Sequence, residues 1–153
     1  MMQAPKRFFP LPNEIFGLEL STGELSVYSY LMFLESRRTF RCWPSYSTIG
    51  RAIGKSKNSV KKYVDGLIDK HLISVEPTRI CTQGGQVRNG NLMYTILPIS
   101  EAVEINHARR LAAMNAERVR QEAMQRIEDY NRKNLDNPVT VTDNRQARSV
   151  SAL

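Results

Sequence analysis

The chain has 153 residues, enough for one domain with extensions, and an apolar fraction of 41% that allows a globular core. A formal charge of +7 and a pI near 9.7 point to an anionic partner, nucleic acid ahead of a membrane surface. No run approaches the roughly 18 apolar residues of a membrane span, no apolar h-region opens the chain, and Cys42 and Cys81 lack metal-ligand spacing, so a span, a secretory signal and a metal centre are not expected.

Met1 to Leu20 contains Pro5, Pro10 and Pro12, which exclude a continuous helix. Phe8, Phe9, Leu11, Ile15, Phe16 and Leu18 are too apolar for a loose tail. Residues 1–20 are therefore expected to form an extended lead-in packed on the domain, with a helical turn near Asn13 to Phe16. Ser21-Thr22-Gly23-Glu24 has the capping-box pattern, serine and glutamate three apart. It predicts a helix from Thr22 to about Ser36, with Leu25, Tyr28, Leu31, Met32 and Glu35 on one side. Thr39 to Trp43 is short and rich in β-formers and predicts a first strand. Trp43 is read as a core or hinge aromatic rather than a base-stacking one.

Pro44 to Ile73 reads PSYSTIGRAIGKSKNSVKKYVDGLIDKHLI. Its spacing predicts a helix over Tyr46 to Ile53 with Ile49, Ala52 and Ile53 apolar. Gly54 stands where a helix ends with positive φ. Ser56 stands where the next helix needs an N-cap acceptor. That second helix would run from Lys57 to about His71, with Val60, Val64, Leu67 and Ile68 inward. Two short helices joined by such a turn make a helix-turn-helix, and an αα-hairpin that binds nothing is the plainer alternative. Charge separates the two. Arg51, Lys55, Lys57, Lys61, Lys62 and Lys70 face only Asp65 and Asp69 within Ser45 to Lys70, so this window holds over half of the net charge. Concentrated positive charge around one helix N-terminus is the footprint of a DNA reader. Asp65 and Asp69 are read as surface ion-pair partners of Lys61 and Lys62.

Leu72 to Glu76 and Leu92 to Leu97 predict paired strands. Between them Thr82 to Asn91 reads as a glycine-rich loop with Arg88 near its tip. A hairpin directly after a recognition helix is a wing, and arginine there suits a minor groove. Gly84-Gly85 is not a phosphate-binding loop, because no helix and no Gly-Lys-Ser/Thr follow it.

Trp43-Pro44-Ser45, Ile49, Ile53-Gly54, Ser56, Ser59-Val60, Tyr63-Val64, Leu67 and Lys70-His71-Leu72-Ile73 resemble the winged helix-turn-helix pattern of bacterial, phage and mobile-element regulators and replication proteins. Leu11-Pro12-Asn13-Glu14-Ile15-Phe16 resembles the lead-in of many mobile-element members. The resemblance covers about Pro10 to Pro98. It implies a mainly α fold with a small β-sheet and a second motif helix that enters the major groove of double-stranded DNA. In that geometry the helix start reads bases, which makes Lys57, Asn58, Ser59 and Lys61 the base-contact candidates, Asn58 foremost through adenine. Ser45, Tyr46, Ser47, Arg51, Lys55 and Lys62 are the phosphate candidates. Arg79 and Arg88 are the wing candidates.

Ser100 to about Asn134 predicts one long helix, capped by Ser100 and spanning roughly 50 Å. Ile105, Ala108, Ala112, Ala116, Val119, Ala123, Ile127 and Tyr130 form one stripe along it. Three arrangements compete: a homodimer through the 100–134 helix, packing back on the domain, or a lone helix awaiting a partner. Dimerisation is favoured because two half-sites are a common target. Leu135 to Leu153 carries Pro138 and many polar residues and is read as a disordered tail, although Val139-Thr140-Val141-Thr142 has strand chemistry.

The domain plan expected is thus 1–20 lead-in, 21–98 winged helix-turn-helix, 99–134 long helix and 135–153 tail. His71 and His107 are isolated and no nucleophile has a base partner nearby, so no catalytic residue, metal or cofactor is assigned. No small-molecule ligand is evident either. The expected protein is a cytoplasmic DNA-binding transcriptional regulator, with a mobile element as its setting. The alternatives are a replication-initiation protein on the same scaffold and a winged helix used only for protein contact.

Overall fold

A computed structural model describes residues 8–141. The expectations for residues 1–7 and 142–153, which include the start of the lead-in and most of the tail, lie outside the described residues. The chain divides into two compact units, one ending at Arg109 and the other beginning at Arg110.

In the first unit a 3-10 turn over Asn13–Gly17 seats Ile15 and Leu18 in the core. Helix α1 covers Thr22–Leu34, α2 Tyr46–Ile53 and α3 Lys57–Asp69. Strand β1 is Arg41–Cys42, β2 Ile73–Glu76 and β5 Met93–Ile96, and they form an antiparallel sheet in the order β1-β5-β2. Tyr94 lies opposite both Cys42 and Val75, so the central strand carries its largest side chain into the core. Strands β3 (Arg79–Cys81) and β4 (Val87–Asn89) make a separate two-stranded hairpin between β2 and β5. The fold is mainly α with a small antiparallel sheet, a winged helix-turn-helix followed by a long C-terminal helix, α4 (Ile99–Lys133).

Local chemistry explains the helix boundaries. Ser21 and Glu24 form the capping box in both directions. The hydroxyls of Ser45 and Ser56 accept from the backbone N–H groups of Thr48 and Ser59, starting α2 and α3. Gly54 ends α2 with φ 68°, and the Lys55 N–H donates to the Gly50 carbonyl. Gly50 is needed for a different reason. A Cβ there would lie 2.5 Å from the Lys55 carbonyl oxygen, which is backbone and cannot step aside.

Several elements depart from the sequence reading. Helix α1 stops at Leu34 rather than Ser36, because Glu35 turns extended. Helix α3 stops at Asp69 rather than His71. His71 adopts φ 57°, a left-handed residue that lets the Leu72 N–H donate to the Leu67 carbonyl. The first strand is only Arg41–Cys42, since Phe40 is also left-handed at φ 57°. The expected loop over Thr82 to Asn91 contains strand β4, and the turn proper is Thr82 to Gln86 with Gly85 at φ 74°. Ser100 lies inside α4 and does not cap it. Ala52 and Ile68 face solvent, and Trp43 is half exposed rather than buried.

Burial holds the Tyr28 hydroxyl up to about 12, and burial likewise raises the Tyr94 hydroxyl, so both stay neutral. Burial, with a smaller push from the Glu35 carboxylate, raises the Cys42 thiol to about 11. Both cysteines are free, Cys42 buried and Cys81 exposed.

In the second unit, α4 from Arg110 onward is exposed along nearly its whole length. It carries ion pairs Arg118–Glu122 at 3.9 Å and Asp129–Arg132 at 3.6 Å. After the helix, the Val139 backbone exchanges two hydrogen bonds with the Asn131 side chain, at 2.8 and 2.9 Å. Among the described residues, no helix is long and apolar enough to cross a membrane.

Two outcomes follow from these contacts. Native protein should react with a thiol reagent at Cys81 alone, and Cys42 should join only in denaturant; simultaneous reaction of both would contradict the buried, protonated Cys42. His71→Gly should raise stability in urea unfolding by about 0.5–1 kcal/mol through relief of the left-handed backbone, and a loss of stability would contradict that reading.

Candidate nucleic-acid interface

The outward face of α3 is set by what lies beneath it. Val60, Val64 and Leu67 are fully buried against α1 and α2. Above them the Glu24 carboxylate, itself largely buried, accepts from the Ser21 N–H at 2.8 Å and from Lys70 Nζ at 2.7 Å. One carboxylate thus caps the start of α1 and grips the end of α3, 46 residues away. Gly66 makes room for it, since a Cβ there would fall on Glu24 Oε1. Gly23 likewise leaves space that the Tyr63 ring fills. The capping box was visible in the sequence; the third partner, Lys70, was not, because its contact is tertiary.

With that face fixed, Lys57, Asn58, Lys61, Lys62 and Asp65 are exposed. Asn58 and Lys62, four residues apart, share the middle of the outward face, while Lys57 and Lys61 stack on one flank. Arg51 and Lys55, in the last turn of α2 and the connection, are also exposed. Other candidates are less available. Ser45 and Ser56 are occupied as caps, the Ser59 hydroxyl lies 3.0 Å from that of Ser56, and Ser59 is half-buried. Tyr46 and Ser47 are half-buried at the start of α2. Burial, and secondarily the Asp65 carboxylate, raises the Tyr46 hydroxyl, which keeps it a neutral donor.

The electrostatics of α3 are unusual for a helix built for stability. Its first turn contains no acid. Lys57 sits at the positive end of the helix dipole with Lys55 just before it, an arrangement that costs a few tenths of a kcal/mol to about 1 kcal/mol per charge. Among the described residues, no carboxylate forms an ion pair with Lys55, Lys57, Lys61 or Lys62. The expected pairing of Asp69 with a neighbouring lysine is replaced by a 3.3 Å contact to Arg109 of α4. The lysines therefore remain uncompensated.

The wing arginines separate. Arg79 lies opposite Asn89, and Arg88 lies opposite Ile80. Since side chains alternate along a strand, Arg79 and Arg88 occupy opposite faces of the hairpin. Arg88 is also not at the tip; it lies within β4 and donates to Gln86 Oε1 at 3.4 Å. The wing root is tied to the start of the helix-turn-helix through Asn91. Its amide donates to the Trp43 carbonyl at 3.1 Å, and its carbonyl accepts from the Thr78 hydroxyl. Sequence reasoning missed this tie, for which only the polar Asn91 before an apolar strand gave a sign.

Residues 18–73 match the family model of a helix-turn-helix domain. Among solved structures, the chain is similar to a possible transcriptional regulator from Methanosarcina mazei, with 17% identity, 72% of this chain and 82% of that one covered, and a TM-score of 0.43. It is also similar to a MarR-family transcriptional regulator from Silicibacter pomeroyi (17% identity, 84% and 80% covered, TM-score 0.36). A third likeness is to the adhesin competence repressor of Streptococcus pyogenes (15% identity, 81% and 88% covered, TM-score 0.33). All three superpositions are too loose to carry an assignment. No curated protein matches the sequence significantly.

The Glu24 contact makes a specific demand. Glu24→Gln keeps the shape but weakens both the cap and the Lys70 bond, and should cost about 2 kcal/mol in urea unfolding. A loss under about 0.3 kcal/mol would show that the carboxylate does not hold α1 to α3.

Proposed function

We propose that the protein is a sequence-specific double-stranded DNA-binding transcriptional regulator that reads the major groove with the N-terminal half of α3. The observation that carries this reading is the group of exposed, uncompensated cations at the start of α3, where the helix dipole is already positive. Such a site is unfavourable in the free protein and is neutralised by phosphate. Asn58 and Lys62 take the base edges, with Lys57 and Lys61 flanking. Arg51 and Lys55 take phosphates and set the register. One wing arginine, not both, reaches the duplex, because the two lie on opposite faces of the hairpin. The regulated locus belongs to a mobile element, a setting drawn from the character of the lead-in.

The second unit supplies the dimer contact in this proposal. Val119 and Tyr130, on the stripe that begins at Ile105, are each about half exposed on α4. A second copy covering that stripe would join two recognition helices in one particle, as two half-sites require. Equilibrium sedimentation at high micromolar concentration should give the mass of two chains, and a single-chain mass would remove the dimer from the proposal.

Selection of genomic fragments by the purified protein at near-physiological salt tests the main proposal. One enriched motif is expected, located at a promoter; clustered repeats within a replication origin would favour replication initiation instead. On that motif, affinity should fall about tenfold or more across a few-fold rise in salt. Asn58→Ala should cost about 1–3 kcal/mol on the motif and little on random DNA. Arg51→Ala should weaken both alike. Retention of no DNA at all would contradict the proposal.

A further inference from the structure

The C-terminal end of α1, the lead-in and the turn before β1 line an open cavity of about 520 Å³ that includes none of the α3 residues. A second cavity of about 330 Å³ shares Met32, Glu35 and Phe40 with it and reaches inward to Tyr28 and Ile96. Both volumes suit a small molecule. Aromatic rings line the larger cavity. The Phe9 and Phe33 rings lie 5.9 Å apart, tilted, and Phe33 stacks on Tyr30 at 6.1 Å. Phe40 is held left-handed at φ 57°, its N–H donating to the Ser36 carbonyl at 2.6 Å and its carbonyl accepting from Ile96 at 2.8 Å. A bulky residue in that conformation is strained, and the turn holds its ring at the wall the two cavities share.

Among the described residues, Glu35 is the only carboxylate lining either cavity. Its Oε2 is buried and, among the described residues, accepts no hydrogen bond. Burial raises its carboxyl, and Arg37, which lines the larger cavity, pulls it partly back down. A buried carboxylate oxygen without a donor is costly and needs a partner. Aromatic rings beside it attract the same kind of partner, a cation. The two features converge on one ligand chemistry.

We propose that this site binds an organic cation with an apolar body, its ammonium N–H groups set against the Glu35 carboxylate among Phe9, Phe33 and Phe40, and its body running past Met32 into the inner cavity. The aromatic rings attract the charge and Glu35 fixes it. The site touches β1 through the Phe40 turn and borders the start of α4, so its occupant bears on elements that frame the sheet.

Calorimetric titration of the full chain with benzylammonium, benzyl alcohol and phenylacetate tests this. One saturable site per chain is expected for the cation, with weaker binding of the neutral and anionic compounds. Glu35→Gln should weaken the cation at least about tenfold and leave benzyl alcohol unchanged. No saturable binding of the cation, equal binding by Glu35→Gln, or preference for phenylacetate would overturn the proposal. Should Glu35→Gln fail to fold, Phe33→Leu, at an exposed ring, replaces it with the same expectation. Amide shifts in the native protein must move at Phe9, Met32, Phe33 and Phe40; shifts confined to other residues would also overturn it.

Discussion

The geometry of the first unit depends on one carboxylate. Glu24 accepts from the N-terminus of its own helix and from Lys70 at the far end of α3, at 2.8 and 2.7 Å. A buried ion pair adds little net stability by itself, because desolvation offsets the attraction. Its effect is positional. Removing either partner would strand the other charge in a low-dielectric site, so α1 and α3 are held at one separation and one rotation. Gly66 and Gly23 fit this arrangement, each giving up a side chain where Glu24 or Tyr63 must sit. The rotation of α3 then decides that Val60, Val64 and Leu67 face inward and that Asn58 and Lys62 face outward.

The two ends of α3 consequently have opposite electrostatic characters. At its C-terminal end Lys70 is paired, and Asp69 is engaged by Arg109. At its N-terminal end, cations gather against the helix dipole without acids to balance them. Local repulsion of this kind is a stability cost without a structural return. A polyanion that arrives at that end relieves it, which ties this unfavourable charge arrangement to the proposed function. The same unit carries a second polar mismatch, the unsatisfied Glu35 oxygen, in an aromatic cavity lined by none of the α3 residues. Each is a place where the free protein is incomplete.

Elements governed by local signals were legible in the sequence. Helix α2 ends where Gly54 places it, and α3 begins where Ser56 caps it, because caps and left-handed glycines act within a few residues. Features governed by tertiary contact were not. His71 and Phe40 are left-handed without being glycine, since the surrounding hydrogen bonds impose the conformation. Strand β4 was hidden because glycines and polar residues around Val87 to Asn89 carry no strand pattern; pairing with β3 supplies what propensity does not. Ile68 lies on the helical flank next to the core stripe and is left uncovered, which periodicity cannot distinguish from burial. For the interface, exposure and charge of the α3 residues could be read from spacing, whereas the division of Arg79 and Arg88 between two faces required the register.

The central claim is that the start of α3 meets DNA. The most direct measurement is a two-dimensional amide spectrum of the labelled protein titrated with a duplex carrying its selected motif. The account predicts the largest shifts at Lys57 to Lys62, smaller ones near Arg51 and Lys55, and shifts on one face of the wing. Shifts concentrated in α4 beyond Arg110, with Lys57 to Lys62 unmoved, would contradict it.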